Sequence, residues 1–201
     1  MIRHIVFDMG QVLVQFSAGL FTERLHLREE DAALIRREVL ATTEWVRMDR
    51  GTISDDDALE RMCARLPRRL HDTAAYLVHR WNDPIIPVPG MAALACDLKN
   101  AGYDLYLLSN AAARQHTYWH DIPGSQWFSG TFISADYHLL KPEAAIYQAF
   151  FEKFGLIPEE CLFIDDNPAN IEASENAGMR GIIFHGDAAR LRRQLTELGI
   201  L

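Results

Sequence analysis

The chain has 201 residues, of which 49% are hydrophobic, 24% are charged and 10% are aromatic. This composition fits one globular domain, or one domain with a modest insertion, and excludes a disordered, collagen-like or low-complexity chain. With 28 acidic residues against 20 lysines and arginines, the formal net charge is -8. An acidic excess repels phosphate backbones, so we expect no nucleic-acid partner, and any phosphate site must supply its own positive charge.

Cysteine usage indicates a reducing compartment, and hydropathy indicates neither a signal peptide nor a membrane-spanning helix. Cys63, Cys96 and Cys161 are far apart and form no metal-binding motif, so neither a disulfide nor a structural zinc is expected. The N-terminal segment has no apolar signal-peptide core, and the longest mostly apolar stretch, residues 85–96, is too short to span a bilayer. We therefore expect a cytoplasmic protein with no membrane partner, as a monomer or weak dimer.

Five short apolar runs predict the strands of a parallel sheet. They lie at residues 5–7, 103–108, 131–133, 161–164 and 181–184. From the second run onward, helical patterns separate them, at residues 91–99, 142–154 and 168–176. Strands that alternate with helices favour an α/β fold, here a three-layer Rossmann-like core with a parallel sheet covered on both faces.

Residues 17–83 break this alternation and predict a helical insertion after the first strand. Helical apolar spacing occurs at residues 30–40 and 58–66, and residues 67–81 are a third helix candidate. Ser54 with Asp57 is typical of a helix start. Three prolines between residues 84 and 89 indicate a stiff hinge. We predict a core domain of residues 1–16 and 84–201, and a helical cap domain of residues 17–83.

Polar residues follow the first two apolar runs. Asp8 ends the first run, where it is either a turn former or a functional carboxylate, and Gly10 allows a ligand to approach the backbone closely. Ser109 and Asn110 end the second run. Their hydroxyl and backbone N–H groups suit an anion, and the alternative is an N-cap for a helix beginning at Ala111.

Two further motifs indicate charge chemistry. Asp165 and Asp166 are adjacent carboxylates that repel each other unless a cation lies nearby, and hard oxygen ligands suit Mg²⁺. The alternative is that Asp166 or Asn167 caps the next helix. Lys141 lies just before a predicted helix, where the helix dipole does not favour it, so it either pairs with an anion or is a solvated surface lysine. A parallel sheet would bring all these motifs to one edge, where they fit phosphoryl chemistry.

The motifs FDMG, LLSN, KPEAAIY and FIDDNPANI, in this order, resemble the haloacid dehalogenase superfamily, whose members are mostly phosphohydrolases. The insertion lies where that family carries its helical cap. Within the superfamily, FDMGQVLV and RGTIS resemble the α-D-glucose-1-phosphate phosphatases and the N-terminal phosphatase domain of soluble epoxide hydrolases. The resemblance implies a Mg²⁺-dependent enzyme that hydrolyses a small phosphate ester, such as a hexose 1-phosphate.

The resemblance also implies a role for each motif residue. Asp8 would be the nucleophile and would form an aspartyl-phosphate that water then hydrolyses. The metal would be held by the carboxylates of Asp8 and Asp166 and the main-chain carbonyl of Gly10, with Asp165 acting through water or behind these ligands. The phosphoryl oxygens would be bound by Ser109, the backbone of Asn110 and Lys141.

One position departs from the family pattern. Most phosphatases of this superfamily carry a second Asp where this chain has Gly10, and a glycine cannot protonate a leaving alkoxide. Either another group donates the proton or the leaving group needs little help, as in a sugar 1-phosphate. If the leaving group needs little help, we expect the enzyme to prefer esters with good leaving groups. If another group donates the proton, the candidate donors are Glu44, Asp49, His116, Tyr118 and His120.

The cap is expected to select the substrate through a loop near residues 45–51. Trp45 would stack on a sugar face or belong to the cap core. Arg47 and Arg50 would bind hydroxyls or a second anion, or they would be solvated.

Two other functions stay open. A metal-independent 2-haloacid dehalogenase would not need an acid at Gly10 but leaves the paired carboxylates unexplained. A non-catalytic phospho-ligand sensor explains Gly10 but not Asp8.

Overall fold

A computed structural model describes all 201 residues and contains one parallel sheet of five strands. The strands are β1 (His4–Phe7), β2 (Asp104–Ser109), β3 (Phe128–Ile133), β4 (Cys161–Asp165) and β5 (Arg180–Ile183). Their order across the sheet is β3-β2-β1-β4-β5. The five predicted runs are confirmed as strands, and the α/β class is confirmed with them.

Helices cover both faces of the sheet because side chains alternate between faces along each strand. Ile5 and Phe7 pack in one hydrophobic cluster, and Val6 between them packs in another. The helices of this part are α6 (Met91–Asn100), α7 (Gln115–Tyr118), α8 (Ser134–Tyr137), α9 (Ala144–Phe154), α10 (Pro168–Asn176) and α11 (Ala188–Glu197). The helices predicted around α6, α9 and α10 are confirmed, whereas α7, α8 and α11 were not predicted.

The insertion between β1 and α6 is helical, as predicted. Its helices are α1 (Ala18–Arg24), α2 (Glu29–Ile35), α3 (Thr43–Asp49), α4 (Asp55–Cys63) and α5 (His71–Arg80). Helix α2 continues into a π-helical turn at Arg36–Leu40, and a 3-10 turn at Arg68–Leu70 precedes α5. Ser54 caps α4 by accepting from the N–H of Asp57 at 3.1 Å, which confirms the predicted helix start.

The prediction of a loop at residues 45–51 is wrong for most of that segment. Residues Thr43–Asp49 form α3, and the Thr42 side chain caps it by accepting from the N–H of Trp45 at 3.1 Å. Met48 is the buried residue of this helix. Seven residues carry too short an apolar pattern to predict a helix, and the cap and the packing of Met48 stabilise it instead.

The insertion shares its hydrophobic core with the sheet. One cluster of buried side chains includes Phe21 and Met62 of the insertion together with Ile5 and Phe7 of β1. This packing holds α1–α5 against the sheet, although the division into a core domain and a cap domain stays a prediction. None of the helices combines the length and the apolar character that crossing a bilayer requires.

Candidate active site

A buried lysine and two carboxylates meet where β1 and β4 end. Asp8 directly follows β1, Asp165 is the last residue of β4, and these strands are neighbours. The Nζ of Lys141 donates to Asp8 Oδ1 and to Asp165 Oδ2, each at 2.7 Å, and to the carbonyl of Leu108 at 2.9 Å. Lys141 is only 5% exposed, which excludes a solvated surface lysine. Connections from β1 and β4 run in opposite directions here, and open α/β sheets bind ligands at such points.

The electrostatics of this cluster follow from its burial. Desolvation raises the pKa of Asp8 to about 7, against the lowering effect of Lys141, and the charge of Asp165 adds to the increase. For Lys141, desolvation alone would lower the pKa, but the charges of Asp8 and Asp165 outweigh it and the pKa rises. The lysine therefore stays protonated, and one ammonium group serves two buried carboxylates.

The carboxylates fit a divalent cation. One oxygen each of Asp8, Asp165 and Asp166 lie within 4.8 Å of one another. The oxygens of Asp165 already accept from Lys141, from the N–H of Asn167 at 2.8 Å and from Asn170 Nδ2 at 3.0 and 3.1 Å. Three carboxylates beside one ammonium leave negative charge uncompensated, and hard oxygen donors suit Mg²⁺. The donor set therefore fits a magnesium ion held mainly by Asp8 and Asp166.

The structure distinguishes the two alternatives for Asp166, a helix cap and a metal ligand. The Asn167 side chain caps α10 by accepting from the N–H of Ala169 at 3.0 Å. Asp166 makes no such cap; it is exposed and lines the cavity above the sheet edge. Asn167 therefore accounts for the helix start, and Asp166 is left free for a ligand.

Asn110 contacts Lys141, whereas Ser109 lies outside the cavity lining. Asn110 Nδ2 donates to the carbonyl of Lys141 at 2.9 Å, and the N–H of Lys141 donates to Asn110 Oδ1 at 2.8 Å. This double hydrogen bond positions the lysine. Ser109 is 1% exposed and is not among the residues that line the cavity. The alternative, an N-cap for a helix beginning at Ala111, does not hold: α7 begins at Gln115, and the N–H of Ala111 donates to the hydroxyl of Ser134 at 2.9 Å.

Gly10 lies in a tight turn after β1. The carbonyl of Met9 accepts from the N–H groups of Leu13 and Val14, at 2.8 and 3.0 Å. A Cβ added at Gly10 would meet only the Cβ of Phe16, at 3.9 Å, which is an ordinary van der Waals contact. The turn would therefore accept a Cβ, so contacts at this atom do not require a glycine here.

A cavity of about 310 Å³ lies above this edge, between the sheet and the insertion. Asp8, Gly10, Asn110, Lys141 and Asp166 line its floor, and four aromatic side chains line its walls: Phe16, Trp45, Trp81 and Tyr118. The rings of Phe16 and Trp81 lie 4.8 Å apart and those of Trp81 and Tyr118 lie 5.6 Å apart. A volume of this size fits a small molecule.

Of the five candidate proton donors, two line the cavity. They are Asp49 and Tyr118. Glu44 pairs with Arg65 at 3.0 Å and His116 pairs with Asp136 at 2.9 Å. These two and His120 are not among the lining residues.

Of the three cap residues expected to bind substrate, only one lines the cavity. Trp45 lines the cavity and packs on Phe16, with ring centroids 5.8 Å apart. Arg47 and Arg50 do not line it. Arg50 pairs with Glu143 and donates to the carbonyl of His138, so it joins α3 to the segment before α9.

Sequence reasoning missed two residues of the site. Ser134 is buried, accepts from Ala111 and donates to the carbonyl of Asp49 at 2.5 Å. The guanidinium of Arg114 lies over the rings of Trp81 and Tyr118, at 5.7 and 5.9 Å. Ser134 ends the third apolar run, which is a usable signal, whereas no motif marks Arg114.

Comparisons with known proteins show which chains this one is similar to. A family model described as haloacid dehalogenase-like hydrolase matches residues 2–178. The sesquiterpene phosphatase of Aspergillus oryzae is 25% identical over 183 residues, which cover 88% of this chain and 87% of that protein. The drimenol cyclase of Aspergillus calidoustus is 24% identical over 204 residues, which cover 98% of this chain but 37% of the cyclase.

A solved structure shows the same fold. A HAD family enzyme of Bacteroides thetaiotaomicron, in complex with magnesium and inorganic phosphate, matches with a TM-score of 0.71 at 20% identity. The match covers 95% of this chain and 99% of that one. At this identity the likeness concerns the arrangement of helices and strands.

Proposed function

Because this chain belongs to the haloacid dehalogenase-like hydrolases, its carboxylate cluster lies in a hydrolase, and we propose that it is a Mg²⁺-dependent phosphohydrolase of small phosphate esters. One observation carries this proposal: Lys141 is hydrogen-bonded to both Asp8 and Asp165 at the floor of a cavity that Asp166 also lines. This arrangement combines a nucleophile, a fixed positive charge and cation ligands at one point.

In the proposed reaction, an Asp8 oxygen attacks phosphorus to form an aspartyl-phosphate, and water then releases phosphate. Lys141 orients the Asp8 carboxylate and offers positive charge to the phosphoryl oxygens, while Asn110 holds the lysine in place. A bound Mg²⁺ would supply charge that favours the ionised form of Asp8 and offsets the charge of the substrate. Asp8, Asp166 and the carbonyl of Gly10 would hold the ion.

The cavity also bears on the substrate class. Trp45 and Trp81 line the same cavity as Asp8, and its volume of about 310 Å³ admits a small ester. A flat aromatic wall packs against a sugar ring face or against an apolar group. Hexose 1-phosphates stay our first candidates, and the phosphatase relative that is named for sesquiterpenes makes apolar phosphates the comparison class.

A phosphate-ester panel tests the proposal. Aryl, anomeric, alkyl and prenyl phosphates would be assayed with Mg²⁺ and with a chelator, using the native protein, Asp8→Asn and the control Asp56→Asn. Asp56 is a cap carboxylate whose side chain is 92% exposed. We expect Mg²⁺-dependent phosphate release by the native protein and Asp56→Asn, and none by Asp8→Asn.

The same experiment separates the alternatives. Activity on a 2-haloacid that survives chelation would favour the dehalogenase. Phosphate-ester binding without turnover, and without a trapped acyl-phosphate on Asp8, would favour a sensor. Metal binding is read independently: Mg²⁺ should raise the Tm of the native protein, and this increase should be smaller in Asp166→Asn because a ligand is lost.

A further inference from the structure

The inserted helices place one carboxyl group over the catalytic edge. Asp49 is the last residue of α3 and lines the cavity that has Asp8 at its floor. Its carboxylate faces the backbone N–H of Ala112, which lowers its pKa, and its carbonyl accepts from Ser134 at 2.5 Å. These partners follow β2 and β3, so Asp49 is attached to the same edge of the sheet as the site.

The two residues after Asp49 also attach this part of the cap to the core. Arg50 pairs with Glu143. Gly51 has φ +70 and passes so close to the core that an added Cβ would lie 2.3 Å from the carbonyl oxygen of Ala135. Three consecutive residues therefore contact the core, and the position of Asp49 in the cavity that Asp8 also lines is well defined.

The surroundings of Asp49 decide its protonation. Burial raises the pKa of Asp49 to about 8; the charge of Arg114 and the hydrogen bond from Ala112 lower it, and the charges of Asp55 and Asp8 raise it. At neutral pH the group is therefore mainly the acid. The other candidate in the cavity is unsuitable: burial raises the pKa of the Tyr118 phenol above its usual range, so it is a weaker donor.

We propose that Asp49 is the general acid of this enzyme and protonates the leaving oxygen, which Gly10 cannot do. The inference rests on the proposed phosphohydrolase function. As Asp8 attacks, the bond from phosphorus to the ester oxygen breaks, the electron pair goes to that oxygen, and the oxygen takes the proton of Asp49. In the second step the Asp49 carboxylate takes a proton from the attacking water, and the phosphorus–Asp8 bond breaks to release phosphate.

The test compares two leaving groups in Asp49→Asn. Asparagine has the same size as aspartate and offers an amide oxygen to the N–H of Ala112, but it has no acidic proton. For an alkyl phosphate, whose leaving group needs a proton, kcat/KM should fall by about 10²–10⁴. For p-nitrophenyl phosphate, whose leaving group departs as an anion, it should change by less than about threefold.

Three controls sharpen this result. Asp56→Asn carries the same change on an exposed cap residue and should leave both rates unchanged. Asp49→Glu keeps an acid and should recover part of the alkyl ester rate, whereas Asp49→Ser, a second variant without an acid, should reproduce Asp49→Asn. The native protein should lose alkyl ester activity as Asp49 ionises at high pH, and Asp49→Asn should lack this limb.

An equal loss on both esters, or no loss on either, would overturn the role of Asp49. A failure of the proposed phosphohydrolase function would give a different result from a failure of the Asp49 role. A native protein without Asp8-dependent hydrolysis of any ester removes the phosphohydrolase function itself. A native protein that hydrolyses both esters, with an unchanged ratio in Asp49→Asn, removes only the general acid and favours a leaving group that needs no proton.

Discussion

Lys141 is the residue on which the site depends most directly. It is one of only three lysines in the chain, and its ammonium group lies between two buried carboxylates. Sequence reasoning singled it out because a lysine before a helix start has no local justification. Its partners could be identified only after the strand order placed Asp8 beside Asp165.

Replacing Lys141 by methionine should affect both activity and stability. Loss of one charged donor to the phosphoryl group typically lowers kcat by about 10²–10³. Leaving buried carboxylates without their partner costs about 3–5 kcal/mol. Phosphate release and urea unfolding measure the two effects.

The matched control is Lys99→Met. Lys99 is a surface lysine that pairs with Asp104 at 3.1 Å, and its side chain is 37% exposed. Its loss should cost less than about 1 kcal/mol and leave activity unchanged. Equal stability losses in the two variants would mean that the buried ion pairs contribute little.

At the scale of elements, helix α3 connects the cap to the chemistry. It carries Trp45 in the cavity wall and Asp49 at its last position, and the turn at Gly51 follows. The family resemblance predicted a loop here, and seven residues are too few to show a helical period that would indicate otherwise. The capping hydroxyl of Thr42 is the local signal that would have predicted the helix.

Gly51→Ala should disturb this element. An alanine there meets a positive φ and the backbone oxygen of Ala135 at 2.3 Å, so α3 must shift away from α8. Gly102→Ala is the control because Gly102 also has a positive φ, at +94, but nothing lies within 4 Å of an added Cβ. Both variants lose about 1 kcal/mol for the backbone conformation, and Gly51→Ala should lose about 1–3 kcal/mol more for the overlap.

Activity distinguishes the two glycine variants further. Displacing Asp49 should lower kcat/KM for an alkyl phosphate in Gly51→Ala and leave it unchanged in Gly102→Ala. Denaturant unfolding and steady-state assays measure these outcomes. Similar behaviour of both variants would mean that the close approach at Ala135 is relieved without moving α3.

At the scale of the whole molecule, Asp49 should make stability depend on pH. Its pKa is about 8 in the folded protein against 3.8 for an unperturbed carboxyl. Between these values the folded state holds a proton that the unfolded state has released. Because the folded state binds more protons, the free energy of unfolding falls as pH rises, by at most about 1.4 kcal/mol per unit, and levels off above about pH 8.

The measurement compares native protein with Asp49→Asn by urea unfolding from pH 5 to pH 8. The native protein should lose stability relative to the variant as pH rises, whereas Asp56→Asn should run parallel to the native protein. A difference that grows in the native protein's favour at high pH would contradict the raised pKa of Asp49.

The overall architecture was predictable because it follows from local patterns. Apolar runs of three to six residues, separated by helical periods, predict parallel strands, and β1–β5 confirm this. The helical insertion follows from the absence of such runs between residues 17 and 83. The subgroup resemblance and the exact substrate stay predictions, because they depend on cap side chains whose contacts no local pattern shows.

The sequence by itself determined the fold class and which motif residues belong to the sheet edge, because side-chain periodicity and strand-end chemistry are local properties. Only the tertiary structure decided their roles: Asn110 orients Lys141, Ser109 lies outside the cavity lining, and Asp49 rather than Glu44 or His116 reaches the cavity. Burial and the proximity of charges set these roles, and both arise from residues that are more than twenty positions apart and meet only in the folded chain.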